Sequence, residues 1–189
     1  MLRYPLDETA EMRALEPWNA AEFAAYIERN REHLGPWLPW ATSLTDVDGT
    51  RAWLQRYADS QASDGGRIYG IWAGGELVGG TLFRTFEPRF GTAEIGVWIS
   101  PEAGGRGLIT RAARRMIEWV FSERGMHRVE WRCFTDNERS IAAAKRLGMT
   151  LDGVMREAFP HNGVRHDVQV WSLLVSEYDA AHGYPSDRT

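Results

Sequence analysis

Residues 93–121 read AEIGVWISPEAGGRGLITRAARRMIEWVF, and the fold follows from the way this stretch changes its period. At first it alternates. Ile95, Val97 and Ile99 fall between Glu94, Gly96, Trp98 and Ser100, the two-residue repeat of a pleated strand. Pro101 ends that pattern, and Gly104, Gly105 and Gly107 make a turn. Beyond it Leu108, Ala112, Ala113, Met116, Ile117, Val120 and Phe121 recur at helical spacing. The order is strand, glycine turn, helix. Without side chains at Gly105 and Gly107 the backbone can approach a ligand closely, and the unpaired N–H groups of a helix's first turn favour an anion. Arg106 lies inside this loop. The stretch therefore predicts a pocket for phosphate, pyrophosphate in particular, although the same glycines also read as a plain turn. Two other nucleotide signatures are absent: no Lys-Ser or Lys-Thr follows the glycines, and no G-x-G-x-x-G occurs.

The whole chain sets broader bounds. Its 189 residues, 43% hydrophobic and 25% charged, have ordinary globular composition, so one domain over residues 1–183 with a loose tail at 184–189 is the natural reading. A net charge of −4 and the lack of a long basic run argue against a general nucleic-acid binder, while a local basic pocket around Arg106 stays open. The single cysteine, Cys133, excludes an internal disulfide. No signal-peptide pattern occupies residues 1–13 and no apolar run is long enough to cross a bilayer, so the cytoplasm is the expected location.

In chain order, residues 2–6 and 9–15 read as a strand pair. A helix follows, with Asn19 as cap, Glu22 three positions on, and Phe23, Tyr26, Ile27 and Leu34 on its apolar face. Gly35-Pro36 closes it. The phrase Trp37-Leu38-Pro39-Trp40 is too rich in proline for a helix interior and reads as a loop whose tryptophans either line a groove or bury themselves. Residues 46–62 form a second helix, capped by Thr45 with Asp48, with Trp53, Leu54 and Tyr57 turned inward. Residues 67–73 and 76–86 make a hairpin across Gly74-Gly75, and 151–160 and 164–175 a second about Asn162-Gly163. Between them lie a strand at 127–134 and a short helix at 136–147 stopped by Gly148. Mixed order without strict alternation predicts an α+β fold with one mixed sheet and helices on both faces.

Several phrases together resemble the GNAT N-acetyltransferases. Their acetyl-CoA loop reads Arg or Gln, two residues, Gly, any residue, then Gly or Ala. Gly105-Arg106-Gly107 fits its second half, and Glu102 departs from its first. His33-Leu34-Gly35-Pro36-Trp37-Leu38-Pro39-Trp40, Asn137-Glu138-Arg139-Ser140 and the closing Val170-Trp171-Ser172-Leu173-Leu174-Val175-Ser176-Glu177-Tyr178 resemble the branch that acetylates ribosomal-protein N-termini. The resemblance implies a central, mostly antiparallel sheet of about seven strands and acetyl-CoA as cosubstrate. It assigns the oxyanion donor to a backbone N–H among Val97, Trp98 and Ile99, and the pyrophosphate to the amides of Gly105, Arg106, Gly107, Leu108, Ile109 and Thr110. In the same way Asn137 would hold the pantetheine arm, Ser140 the sulfur, and Trp37 and Trp40 the acceptor.

The base is left between two carboxylates. Glu157, in Arg156-Glu157-Ala158-Phe159, matches the position of the proposed base of the ribosomal-protein branch, and Glu94 lies on the strand where the amine must arrive. His33, His127, His161 and His166 are weaker candidates, and no metal site is expected. Other relatives place a tyrosine acid where this chain has Ala144, so a hydrogen bond from Ser140 to the departing thiolate takes its place. An α-amino group, with a pKa of about 7.7–8.0, needs less base strength than a lysine at about 10.4, which favours a protein N-terminus as acceptor. A small amine such as a polyamine, an amino acid or an aminoglycoside is the rival acceptor, and a non-catalytic acyl-CoA sensor the rival class. A homodimer is compatible with each of these readings.

Overall fold

A computed structural model describes residues 3–183. The chain runs β1 (Arg3–Pro5), β2 (Ala10–Ala14), α1 (Ala20–Leu34), α2 (Pro39–Ser43), α3 (Val47–Ala62), β3 (Ile68–Ala73), β4 (Glu76–Glu87), β5 (Thr92–Ile99) and α4 (Leu108–Glu118). It continues through β6 (Arg128–Phe134), α5 (Glu138–Arg146), β7 (Thr150–His161), β8 (Val164–Leu174) and α6 (Val175–His182). The strands form one mixed sheet of eight, in the order β1-β2-β3-β4-β5-β6-β8-β7. β5 and β6 run parallel, while β1–β2, β2–β3, β3–β4, β6–β8 and β7–β8 are antiparallel. The tail expected at 184–189, and Leu2 of the first strand, lie outside the described residues.

By proximity along the backbone the chain groups into two compact units. One holds the residues up to Phe83 together with Val97–Ala112, the other Arg84–Gly96 and the residues from Ala113 on. In the first unit, α1 buries Phe23, Tyr26, Ile27 and Leu34, the face its spacing predicts, against Leu54 of α3 and Ile68, Trp72, Leu77, Leu82 and Trp98 of the strands. Gly74 and Gly75 both take positive φ, 59° and 88°, as a primed hairpin turn requires.

Three local expectations need correction in this unit. Asn19 stands at the start of α1 but its Oδ1 accepts the N–H of Glu16 at 3.0 Å, so it closes the preceding 3-10 turn instead of capping the helix. α3 is capped by Asp46, whose Oδ1 accepts the N–H of Gly49 at 2.7 Å, and not by Thr45 with Asp48. Pro39 and Trp40, read as part of a loop at 37–40, open α2 instead, because Pro39 occupies its first turn, where a missing N–H costs nothing and the fixed φ suits the helix.

The second unit is built on β6, where Val129, Trp131 and Cys133 are buried and alternate with Arg128, Glu130 and Arg132. After α4 the chain makes a π-helical turn, Trp119–Glu123, that still buries Val120 and Phe121. Asn162 (φ 49°) and Gly163 (φ 77°) turn the closing hairpin as expected. The sequence reading misses α6: its Tyr178 packs on Phe121 with ring centroids 5.2 Å apart.

Candidate active site

In the first unit the glycine loop leaves β5 and enters α4. The face of β5 that carries Trp98 and Ser100 is buried, whereas Val97 and Ile99 on the other face are only half-buried, although both are apolar. β4 passes very close here: a Cβ on Gly79 would stand 2.6 Å from the carbonyl oxygen of Trp98. Gly105 and Gly107 take φ of 78° and 73°, and a side chain on Gly105 would project into open space. The first helical residues, Leu108, Ile109 and Thr110, follow directly, with Leu108 buried and the other two half-buried. Left-handed glycines leading into a helix N-terminus fit a pyrophosphate held by main-chain N–H groups.

Arg106 is placed differently from a free phosphate cation. Its Nη2 donates to Asp7 Oδ2 at 3.1 Å and to Thr9 Oγ1 at 2.7 Å, in the turn between β1 and β2. Arg111, which the sequence reading passes over, donates through Nη2 to the same Asp7 oxygen at 3.1 Å and to the carbonyl of Arg106 at 2.9 Å. The Asp7 carboxyl is held below the usual carboxylate range by the Thr9 N–H first, then by the Thr9 hydroxyl and Arg106, against some desolvation.

Trp40 lies on α2, where it packs edge-on to Trp98 (5.3 Å between centroids) and tilted against Phe23 (5.5 Å) and Trp53 (5.7 Å). Trp37 and Trp40 are both half-buried, so each retains an accessible surface. The Nε1 of Trp98 is buried without a hydrogen-bond partner in the structure.

In the second unit Asn137 caps α5: its Oδ1 accepts the N–H of Ser140 at 3.0 Å. Ser140 Oγ accepts the indole N–H of Trp131 at 2.8 Å, which fixes the position of that hydroxyl. Cys133 is 7% exposed. Burial pushes its thiol up, only partly offset by a hydrogen bond with Ser140, so it is no thiolate nucleophile at neutral pH. Ala144, on the same helix, is fully buried.

The two carboxylates differ sharply. Glu94 is 5% exposed, and Arg84 Nη1 meets its Oε1 at 3.1 Å while Arg132 Nε lies 3.6 Å from Oε2. Both of its oxygens face cations. Glu157 is exposed and sits where β7 slips register between Met155 and Phe159, at a φ of 48° that residues with a side chain rarely adopt. Its N–H donates to Asp167 Oδ1 at 2.7 Å and its carbonyl accepts from Arg165 at 3.0 Å. Strain of this kind, held by neighbours, concentrates at functional positions. His161 and His166, on the two strands of the closing hairpin, flank Phe134 with their own centroids 6.2 Å apart, and His166 stacks on it at 4.3 Å. Among the described residues no group of three His, Cys, Asp or Glu side chains could hold a metal ion, and no helix is long and apolar enough to cross a membrane.

The chain belongs to the GNAT acetyltransferase family: the model of the acetyltransferase (GNAT) domain matches residues 13–150. It is an N-acetyltransferase, and acetyl-CoA is its cosubstrate. The chain is 33% identical over 184 residues to the putative ribosomal N-acetyltransferase YdaF of Bacillus subtilis, covering 95% of this chain and 98% of that protein. It is 25% identical to the ribosomal-protein-serine acetyltransferase of Escherichia coli, over 90% and 95% of the two chains. Among solved structures, a RimL ribosomal L7/L12 alpha-N-protein acetyltransferase in complex with coenzyme A superposes with a TM-score of 0.88 at 25% identity, over 93% of this chain and 99% of that one.

Proposed function

We propose that the enzyme acetylates the N-terminal α-amine of a protein, ribosomal proteins being the acceptor class its relatives indicate, by direct attack of the amine on the thioester. Acetyl-CoA supplies the acetyl group and a thiolate leaving group. The N–H groups from Gly105 to Thr110 hold the pyrophosphate, and an N–H among Val97, Trp98 and Ile99 stabilises the developing oxyanion, a contribution of about 3–4 kcal/mol for such a donor. Asn137 holds the pantetheine arm. Ser140, its oxygen already bonded to Trp131, donates its hydroxyl proton in a hydrogen bond to the sulfur. Glu157 draws the proton from the amine, through water; Glu94 is second to it, because its oxygens are committed to Arg84 and Arg132. Trp37 and Trp40 present the surface for the acceptor. The reaction proceeds in the cytoplasm.

The glycine loop opening α4 is the observation that carries this reading. A protein acceptor is favoured over a small amine by the extent of the likeness: the spermidine N(1)-acetyltransferase of Escherichia coli matches only 49% of this chain, at 29% identity. The test is transfer from isotopically labelled acetyl-CoA into a bacterial extract, with labelled products identified by mass spectrometry and Gly107→Trp as the blank. Label on protein N-termini is expected. Label on a small amine would overturn the acceptor assignment. Glu157→Gln should lower kcat by about 100-fold or more with little change in the acetyl-CoA KM, as loss of a general base does; an unchanged kcat removes Glu157 from the mechanism.

A further inference from the structure

The glycine loop is braced from outside by a residue at the other end of the sequence. Asp7, in the β1–β2 turn, lies 104 positions from Arg111 yet accepts from it at 3.1 Å, and the same guanidinium nitrogen donates to the carbonyl of Arg106 at 2.9 Å. A trans peptide points its C=O and the following N–H in opposite directions. Fixing the Arg106 carbonyl on Arg111 therefore aims the N–H of Gly107 away from Arg111, out of the loop. Arg106 itself is tied to Asp7 and Thr9, so Arg106 of the loop and Arg111 of α4 share one carboxylate. The turn is firm in its own right: the Thr9 N–H donates to Asp7 Oδ1 at 2.9 Å and the Thr9 hydroxyl to the same oxygen at 3.0 Å.

We propose that Asp7 is a positioning residue for the acyl donor: acting through Arg111, it holds the loop in the conformation whose main-chain N–H groups receive the pyrophosphate. The idea rests on the phosphate-loop reading above and adds a claim of opposite sign to simple charge reasoning. A carboxylate beside a pyrophosphate site repels the ligand, so its removal should tighten binding. If the carboxylate instead preorganises the donors, its removal weakens binding, because the loop must then be ordered at the ligand's expense.

The experiment titrates coenzyme A into the full chain by calorimetry and measures steady-state KM for acetyl-CoA and for the acceptor separately. Asp7→Ala should weaken coenzyme A binding about five- to tenfold, within the scale of losing one ordinary hydrogen bond's net contribution. The acetyl-CoA KM should rise in step, with kcat at saturation and the acceptor KM unchanged. Asp7→Asn keeps an acceptor oxygen and should recover part of the loss. Arg111→Lys keeps the charge but cannot bridge carboxylate and carbonyl in the same way, and should weaken binding like Asp7→Ala. Wild-type or tighter binding in either Asp7→Ala or Arg111→Lys overturns the proposal. Gly107→Trp separates the two claims: if it still binds coenzyme A the phosphate-loop reading falls, whereas its loss of binding beside an unaffected Asp7→Ala refutes the brace alone.

Discussion

Asn137 is given two tasks, and two substitutions separate them. Its Oδ1 accepts the Ser140 N–H at 3.0 Å and so caps α5, while the proposed contact to pantetheine needs the amide as well. Asn137→Ala removes both. Losing an N-cap costs about 1 kcal/mol, and a chain of this size loses about 2–4 °C of melting temperature per kcal/mol. Asn137→Asp keeps the accepting oxygen and adds a negative charge at the N-terminus of α5, favourable by about 0.3–1 kcal/mol, so it should melt no lower than the wild type. What Asp cannot do is donate. If the amide hydrogen-bonds the cosubstrate, a loss of about 0.5–1.5 kcal/mol raises the acetyl-CoA KM about two- to twelvefold. Melting curves and a thiol-release assay over a range of acetyl-CoA concentrations decide the matter. An Asn137→Asp enzyme with wild-type KM would refute the contact and leave Asn137 as a cap alone.

Two further outcomes follow from packing and charge. A Cβ on Gly80 would stand 2.1 Å from Cζ2 of the buried Trp98 and 2.5 Å from the carbonyl of Tyr69, neither of which can yield easily. Gly80→Ala should therefore cost about 1–3 kcal/mol and lower the melting temperature by about 2–12 °C; an unchanged transition would show that the indole can move. On the sheet, Arg128 pairs with Asp152 and, at 2.9 Å, with Glu130, which also receives Arg132 at 2.9 Å. The Arg128 hydrogen bond holds the Asp152 carboxyl below its ordinary range. Burial pushes Glu130 up, but Arg128 and Arg132 outweigh it and the net shift is downward. Both values are lower folded than unfolded, so this stability is in place at neutral pH and is lost as pH falls below the ordinary Glu value of 4.5. Arg128→Gln should flatten that acid limb of stability measured by urea melts; an identical limb would disprove the assignment.

The parts of this fold that were legible in the sequence are those written in short-range patterns. All seven apolar positions read off the helix after the glycine loop are buried, because a helix exposes or hides residues by spacing alone. Gly74-Gly75 and Asn162-Gly163 fixed two hairpins through the positive φ those turns demand. Where rules compete, the pattern was less informative. Pro39 reads as a breaker in one context and a helix starter in another, and a cap at Asp46 differs from one at Thr45 by a single step that only geometry resolves. The site was legible as a list of residues and not as an arrangement. Nothing local links Asp7 to Arg111, Asp167 to the N–H of Glu157, or Trp131 to Ser140, since these pairs meet only after the strands have taken their register.

The close approach of Gly79 to the carbonyl of Trp98 has a bearing on how this enzyme should be surveyed by mutagenesis. The segment from Val97 to Thr110 offers main-chain groups, and an alanine scan leaves every one of them in place. At its apolar positions such a scan would report the segment as tolerant. Only two kinds of change interrogate it: proline, which deletes an N–H, and the filling of glycines. A saturation screen that found Val97, Ile99 and Ile109 permissive to most side chains but intolerant of proline would map a recognition surface invisible to side-chain truncation.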